Sequence, residues 1–313
     1  MKLKNGPLPH RYYRLGKLMG RLAVVLLLVA SFCCEQVEGQ EKKKLVCSTT
    51  QVADFARQIV GDRWDVVCVL GHAQDPHTYE VCTDDSSKVA SADLCAENGW
   101  NLEGNDWMKK LASDAGKPIV TCIEGVSPLS MNEGGKEFKD PHAWLSPKNA
   151  IIYVNNLFSA ICKIDPDNTE EYQARKELYI RQLRMLDGWI KQTLSSIPAN
   201  QKMLVTHHDA FGYFCKEFNF QHESPMGWTT ADLAEVTAAD RQVVVTKIRE
   251  TGVKAIFVEK AVNEKMISGI ARDAGVVIGG KLYSDAMGED GTAAENYIGM
   301  MRENVLTMVR VLK

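Results

Sequence analysis

The 313-residue chain has no CxxC pair, no HExxH, no Gly/Ser-rich linker and no apolar run approaching membrane-helix length. Each absence narrows the field. Without HExxH, the commonest helical zinc-protease signature is missing. Without a Gly/Ser stretch, any connection between domains is stiff. With a formal net charge of −3, there is no electrostatic footprint for nucleic acid. Hydrophobic residues make up 45% and charged residues 25%, an ordinary globular balance. The length suggests two domains at a rough ~150 residues each.

The charge is unevenly placed. Lys2, Lys4, Arg11, Arg14, Lys17 and Arg21 stand in residues 1–39 against only Glu35 and Glu38, so the remainder carries −7. The basic segment runs into "LAVVLLLVASFCC", shorter than the roughly 20 apolar residues of a membrane span. This layout is that of a secretory signal, with cleavage before Gln40 as the expected junction. Cys33 and Cys34 keep a lipid anchor open, although Phe32 or Cys33 would occupy the position where a small residue is wanted; an uncleaved anchor is the other alternative. Seven cysteines follow: Cys47, Cys68, Cys82, Cys95, Cys122, Cys162 and Cys215. Export would permit disulfides, but Cys47, Cys68, Cys95 and Cys122 sit in short β-like runs, where a thiol packs as a small hydrophobe.

From residue 44 the pattern alternates. "KLVCSTT", "WDVVCVL", "DLCAEN" and "PIVTCI" read as strands; "QVADFARQIVG", "SSKVASA" and "EGNDWMKKLASDAG" read as helices. The second half repeats this with "KMLVTH", "KAIFVE" and "VVIGGKL" against "AFGYFCKEF", "ADRQVVVTKIRETG", "EKMISGIARDAG" and a last helix from about Thr292. Such alternation implies βαβ units and parallel sheets. Between the halves, Tyr172, Tyr179, Leu183, Leu186, Ile190 and Leu194 share one helical face over 168–197. Asn168 with Glu171 makes a plausible capping box, and Pro198 ends the helix. The expected organisation is α/β: a signal segment 1–39, an N-terminal lobe 44–167, a long rigid linking helix 168–197 and a C-terminal lobe 198–313.

Four polar motifs follow predicted strands: "DPHTYE" with His77, "DPHAWLSP" with His142, "THHDAF" with His207 and His208, and "LYSDAMGEDG" with Asp285. Ligands of open α/β sheets bind at carboxyl ends of strands, so a cleft between the lobes would collect all four. Proline stiffens each Asp-Pro-His, and one such tripeptide alone is most simply a turn. If "MLVTHH" stays extended, His207 and His208 point to opposite faces; one joins the cleft and the other packs or hydrogen-bonds behind it, and spacing alone does not choose. Asp209 is placed to cap the helix after it.

"DPHTYE", "NLEG", "DPHAWLSP", "VTHHDAFGYF", "IFVEKAVNEK" and "GGKLYSDAMGEDGTAAENYIGMM", in this order, resemble the TroA/ZnuA-like solute-binding proteins, the cluster A-I receptors of zinc and manganese ABC importers. The resemblance covers about 44–313. It implies two lobes joined by one long helix with the metal between them, and it carries the family's four ligands onto His77, His142, His208 and Asp285. It also implies delivery of Zn²⁺ or Mn²⁺ to an ABC permease and its ATPase by an exported, extracytoplasmic or periplasmic monomer. Ser146 stands where the family often has aspartate, and "MNEGGKEFKD" lacks the histidines of zinc-dedicated members. Three imidazoles and a carboxylate suit Zn²⁺, with Mn²⁺ the close second if the carboxylate binds through both oxygens. Cys82 is a remote candidate for an accessory thiol. The rivals are a zinc hydrolase, for which Glu259 is the only candidate base, and a surface adhesin of the same fold.

Overall fold

The computed structural model describes residues 41–72, 74–133, 136–225, 227, 237–260 and 264–313. The expected signal segment, with Cys33, Cys34 and the Gln40 junction, lies outside them. Residues Lys43–Lys313 form one compact unit. No helix among the described residues is long and apolar enough to cross a membrane.

The first half is a run of βα units: β1 (Lys43–Cys47), α1 (Thr50–Val60), β2 (Trp64–Cys68), α2 (Thr83–Ala90), β3 (Leu94–Glu97), α3 (Trp107–Asp114) and β4 (Ile119–Thr121). The strands form one parallel sheet in the order β2-β1-β3-β4. Side chains alternate across a strand, so Leu45 and Cys47 enter one apolar cluster while Val46 enters the other. Both faces are therefore covered, as parallel sheets require. Cys47, Cys68, Cys95 and Cys122 are free thiols at or beside these strands.

Between this sheet and the long helix lie a hairpin and a helix that the sequence reading did not anticipate. An antiparallel hairpin, β5 (Ser130–Glu133) with β6 (Lys136–Lys139), precedes the His142 motif. Helix α4 (Pro147–Ile164) follows it, with Pro147 in its first turn and Ala150, Tyr153, Val154, Leu157 and Ile161 buried. The long helix α5 spans Thr169–Leu194, 26 residues and ~39 Å. Its buried face carries all six residues picked out by periodicity, plus Ile180. The expected capping box is absent, because the Asn168 amide donates to both oxygens of Asp165 at 3.0 Å instead. Helix α5 packs on α4 and α1 from the first half and on the last helix from the second.

The second half supplies two parallel pairs. β7 (Met203–Val205) pairs with an unanticipated β8 (Gln221–Glu223), and β9 (Ala255–Glu259) pairs with β10 (Val277–Leu282). Helices α6 (Gly212–Phe218), α7 (Ala238–Thr251), α8 (Lys265–Ala274) and α9 (Tyr297–Leu312) accompany them. Helix α9 begins later than expected because the Asn296 side chain is its cap, accepting from Gly299 N–H at 2.9 Å. Parallel sheets flanked by helices, with one long helix touching both halves, are the expected α/β architecture.

Candidate metal centre

The four predicted residues converge. His77, His142, His208 and Asp285 are all buried, and each offers a ligand atom within 4.8 Å of the others. His142 Nε2 lies 3.2 Å from His77 Nε2 and 3.2 Å from His208 Nε2. The Asp285 carboxylate faces them with both oxygens: Oδ1 is 3.4 Å from His142 Nε2, and Oδ2 is 3.3 Å from His208 Nε2 and 3.9 Å from His77 Nε2. A tetrahedral ion with metal–nitrogen bonds of ~2.0–2.1 Å holds its donors ~3.3 Å apart. The separations of 3.2–3.4 Å around His142 and between His208 and Asp285 match that requirement, and the His77–Asp285 separation of 3.9 Å exceeds it.

Local structure explains the presentation of each ring. In both Asp-Pro-His motifs the aspartate closes a turn on the histidine: Asp75 Oδ1 accepts from His77 N–H at 2.9 Å, and Asp140 Oδ1 accepts from His142 N–H at 2.9 Å. Asp140 Oδ1 also takes the His142 Nδ1 side at 2.8 Å, which turns Nε2 toward the cluster. The His77 turn is held from behind by Gly104 of "NLEG", whose N–H donates to the Pro76 carbonyl at 3.3 Å. A Cβ at 104 would stand 2.0 Å from the His77 carbonyl oxygen, so only glycine fits.

The tandem histidines divide the work, but not through strand alternation. β7 ends at Val205, and His207 and His208 lie in bends beyond it. What shapes this segment is Glu259, at the end of β9. Its Oε1 accepts from both consecutive amides, His207 N–H at 2.9 Å and His208 N–H at 2.8 Å. Its Oε2 lies 2.8 Å from His208 Nδ1, within ion-pair range though off the line of a good hydrogen bond, and accepts from the Ser284 hydroxyl. His208 therefore presents Nε2 to the cluster. His207 stays out of it: its ring is buried and its Nδ1 finds no partner among the described residues. His207, His208 and Glu259 form a second group of possible donors, but Glu259 is already taken up by three hydrogen-bond donors and the His208 ring, so this group supports the first rather than standing as a separate site.

Two expectations fail. Asp209 does not cap α6, which starts three residues later behind Phe211. Its carboxylate instead engages His222 Nδ1, while His222 Nε2 meets the Thr206 hydroxyl at 2.8 Å. A side-chain partner 13 residues away outcompetes the local cap. Cys82 is exposed, its own N–H donating to Asp85 Oδ2 at 3.0 Å at the start of α2, and it belongs to neither donor group.

Electrostatics divide the rings. Burial lowers His77 to about 3, so it is neutral at any ordinary pH. Burial also opposes charge on His142, yet Asp140 and Asp285 raise it to about 9. His208 is likewise raised well above its usual range, with Glu259 and Asp285 outweighing burial. Burial works against charge on Asp285 too, but His208 and His142 hold it well below the usual carboxylate range. The Asp285 carboxylate thus favours positive charge on the imidazoles it faces, which is the charge a divalent cation would supply.

Comparisons with known proteins agree with this chemistry. The family model described as zinc-uptake complex component A, periplasmic, matches residues 45–311. The metal ABC transporter substrate-binding lipoprotein SsaB of Streptococcus sanguinis is 33% identical over 92% of this chain and 97% of its own. The manganese ABC transporter substrate-binding lipoprotein PsaA of Streptococcus pneumoniae is 33% identical over 89% and 92%. Among solved structures, the periplasmic zinc binding protein TroA from Treponema pallidum superposes with a TM-score of 0.81 at 31% identity, covering 87% of this chain and 99% of that one. The chain belongs to the zinc-uptake complex component A family.

Proposed function

We propose that the chain is the extracytoplasmic receptor of a metal-importing ABC transporter. It captures Zn²⁺ or Mn²⁺ through His77, His142, His208 and Asp285 and delivers the ion to a membrane permease powered by an ATPase. The observation that carries this reading is the convergence of three Nε2 atoms and one carboxylate, all buried, at the spacing of a tetrahedral ion. The names of the relatives support the transport role. Donor chemistry favours Zn²⁺ on affinity. The two-oxygen approach of Asp285 leaves room for the higher coordination of Mn²⁺.

In this reading the N-terminal basic and apolar stretch is an export signal, with Cys33 or Cys34 as the position for a lipid anchor like that of the lipoprotein relatives. The receptor works as a monomer, with lobes 44–167 and 198–313 braced by the linking helix of 168–197. The hydrolase alternative loses its base, because Glu259 is engaged by two amides, His208 and Ser284. Elemental analysis of protein purified without added metal tests the proposal. About one equivalent of zinc or manganese is expected, and protein free of transition metal that also fails to take up either ion would refute it.

A further inference from the structure

Asp285 belongs to the second half of the chain, yet the peptide on either side of it is gripped by the first half. The Ser284 carbonyl accepts from Gln51 Nε2 at 3.0 Å and from the Trp144 indole N–H at 3.2 Å. The Met287 N–H donates to Thr50 Oγ1 at 3.0 Å. Thr50, Gln51, Trp144 and Ser284 are all buried. One turn further along α1, Asp54 Oδ2 accepts from Tyr297 N–H at 2.9 Å, and the Tyr297 hydroxyl donates back to the Trp144 carbonyl at 2.6 Å. Trp144 in turn packs its ring 5.3 Å from that of His142.

Ser284 is thus a node between the two sides of the cluster. Its hydroxyl reaches Glu259, the carboxylate behind His208. Its carbonyl reaches Gln51 and Trp144, on the side of His142. One residue earlier, the buried Asn304 holds Tyr283 at both ends, its Oδ1 accepting from the Tyr283 N–H and its amide donating to the Tyr283 carbonyl, each at 2.8 Å. The Ser284 carbonyl itself is held only from the first half, among the described residues. Of the two donors on the Ser284 carbonyl, Trp144 is also a large core side chain, whereas Gln51 serves this loop alone: its Oε1 accepts from the Thr50 hydroxyl at 3.2 Å, the same group that takes the Met287 N–H.

We propose that Gln51 is a positioning residue for the metal carboxylate. This rests on the receptor reading above and extends it. By holding the Ser284 carbonyl, Gln51 keeps the Asp285 carboxylate straddling His142 and His208, so that both oxygens reach the ion. Without that hold the carboxylate can swing to one-oxygen contact. Three imidazoles and one oxygen still satisfy a four-coordinate ion. They leave an ion that needs more ligands under-coordinated. Gln51 therefore sets the balance between the two cargo ions.

The test is Gln51→Ala, with Gln51→Glu as a second variant that keeps the side-chain volume and removes the donor. Zn²⁺ and Mn²⁺ affinities are measured by chelator competition, and Co²⁺-loaded protein is read by visible absorption. Loss of a supporting partner behind a metal ligand typically costs ~10–100-fold. The expectation is a loss in that range for Mn²⁺, a several-fold smaller loss for Zn²⁺, and a stronger Co²⁺ band as coordination drops toward four. A Mn²⁺:Zn²⁺ affinity ratio and a Co²⁺ spectrum unchanged in both variants would overturn the proposal, whether the two affinities fall together or not at all. The wild-type protein, measured alongside, separates this outcome from failure of the receptor reading, in which it would bind neither ion.

Discussion

At the scale of single residues, the tandem histidines are the sharpest case. His208 has its Nε2 in the cluster and its Nδ1 side against Glu259, whereas His207 has neither. Replacing His208 by alanine should remove a metal–nitrogen bond and cost far more metal affinity than His207→Ala. Competition against a chelator of known affinity at one pH gives the comparison, and a larger loss for His207→Ala would reverse the assignment. Glu259→Gln keeps the shape but removes the charge beside His208, and should weaken metal binding by ~10–100-fold. Unchanged affinity would show that the carboxylate only organises backbone. The four motifs were legible because each is short and follows a strand, but the choice of His208 over His207 came only from the family resemblance. The roles of Glu259, Gln51 and Ser284 were not legible. Gln51 and Ser284 meet from positions 233 apart, and no local pattern announces such a contact.

At the scale of elements, the periodicity of α5 predicted its buried face correctly because that face is long, regular and packed on both halves. Helix α4 escaped notice for a physical reason. It carries a β-branched pair, Ile151-Ile152, and an Asn155-Asn156 pair, all weak helix formers. Its stability comes from packing on α1 and α5, and Asn156 spends its amide on the carbonyls of Cys122 and Glu124. The β5–β6 hairpin and the three-residue β8 are too short to leave a pattern. The loop of "NLEG" offers a test at this scale. Gly104→Ala drives a Cβ against the His77 carbonyl, a clash with backbone rather than with the end of a flexible side chain. It should destabilise the fold by more than about 2 kcal/mol and weaken metal binding through His77. Denaturant unfolding of the metal-free protein measures the first effect, and a wild-type midpoint would show that the loop shifts freely.

For the whole molecule, protonation and metal binding compete for the same rings. His142 stands at about 9 in the folded chain against an ordinary 6.5. Its charged form is therefore favoured by folding, and the stability it contributes is fully present below 6.5 and lost as pH rises through 9. Glu103, raised by burial to about 7, pushes the same way at lower pH, because its neutral form is the one the fold favours. The metal-free protein should accordingly lose thermal stability between pH 6.5 and 9, and a rising melting temperature over that range would contradict the charge assignment. Metal affinity should move oppositely, since the ion needs neutral imidazole and His77 already is. Near pH 7, uptake of the ion should release protons from the raised rings, His142 and His208. Calorimetric titration in buffers of different ionisation enthalpy counts them, and no release would mean that the rings are already neutral.

The central claim is that one buried site of three imidazoles and a carboxylate selects a borderline-soft divalent cation. Thermal unfolding of the metal-stripped protein with Zn²⁺, Mn²⁺, Ca²⁺ or Mg²⁺ tests it most directly. A free ion 1,000-fold above its dissociation constant stabilises the fold by ~4 kcal/mol. Zn²⁺ and Mn²⁺ should therefore raise the melting temperature clearly, whereas Ca²⁺ and Mg²⁺, which prefer all-oxygen shells, should leave it unmoved. An equal rise with Ca²⁺, or no rise with either transition ion, would contradict the account.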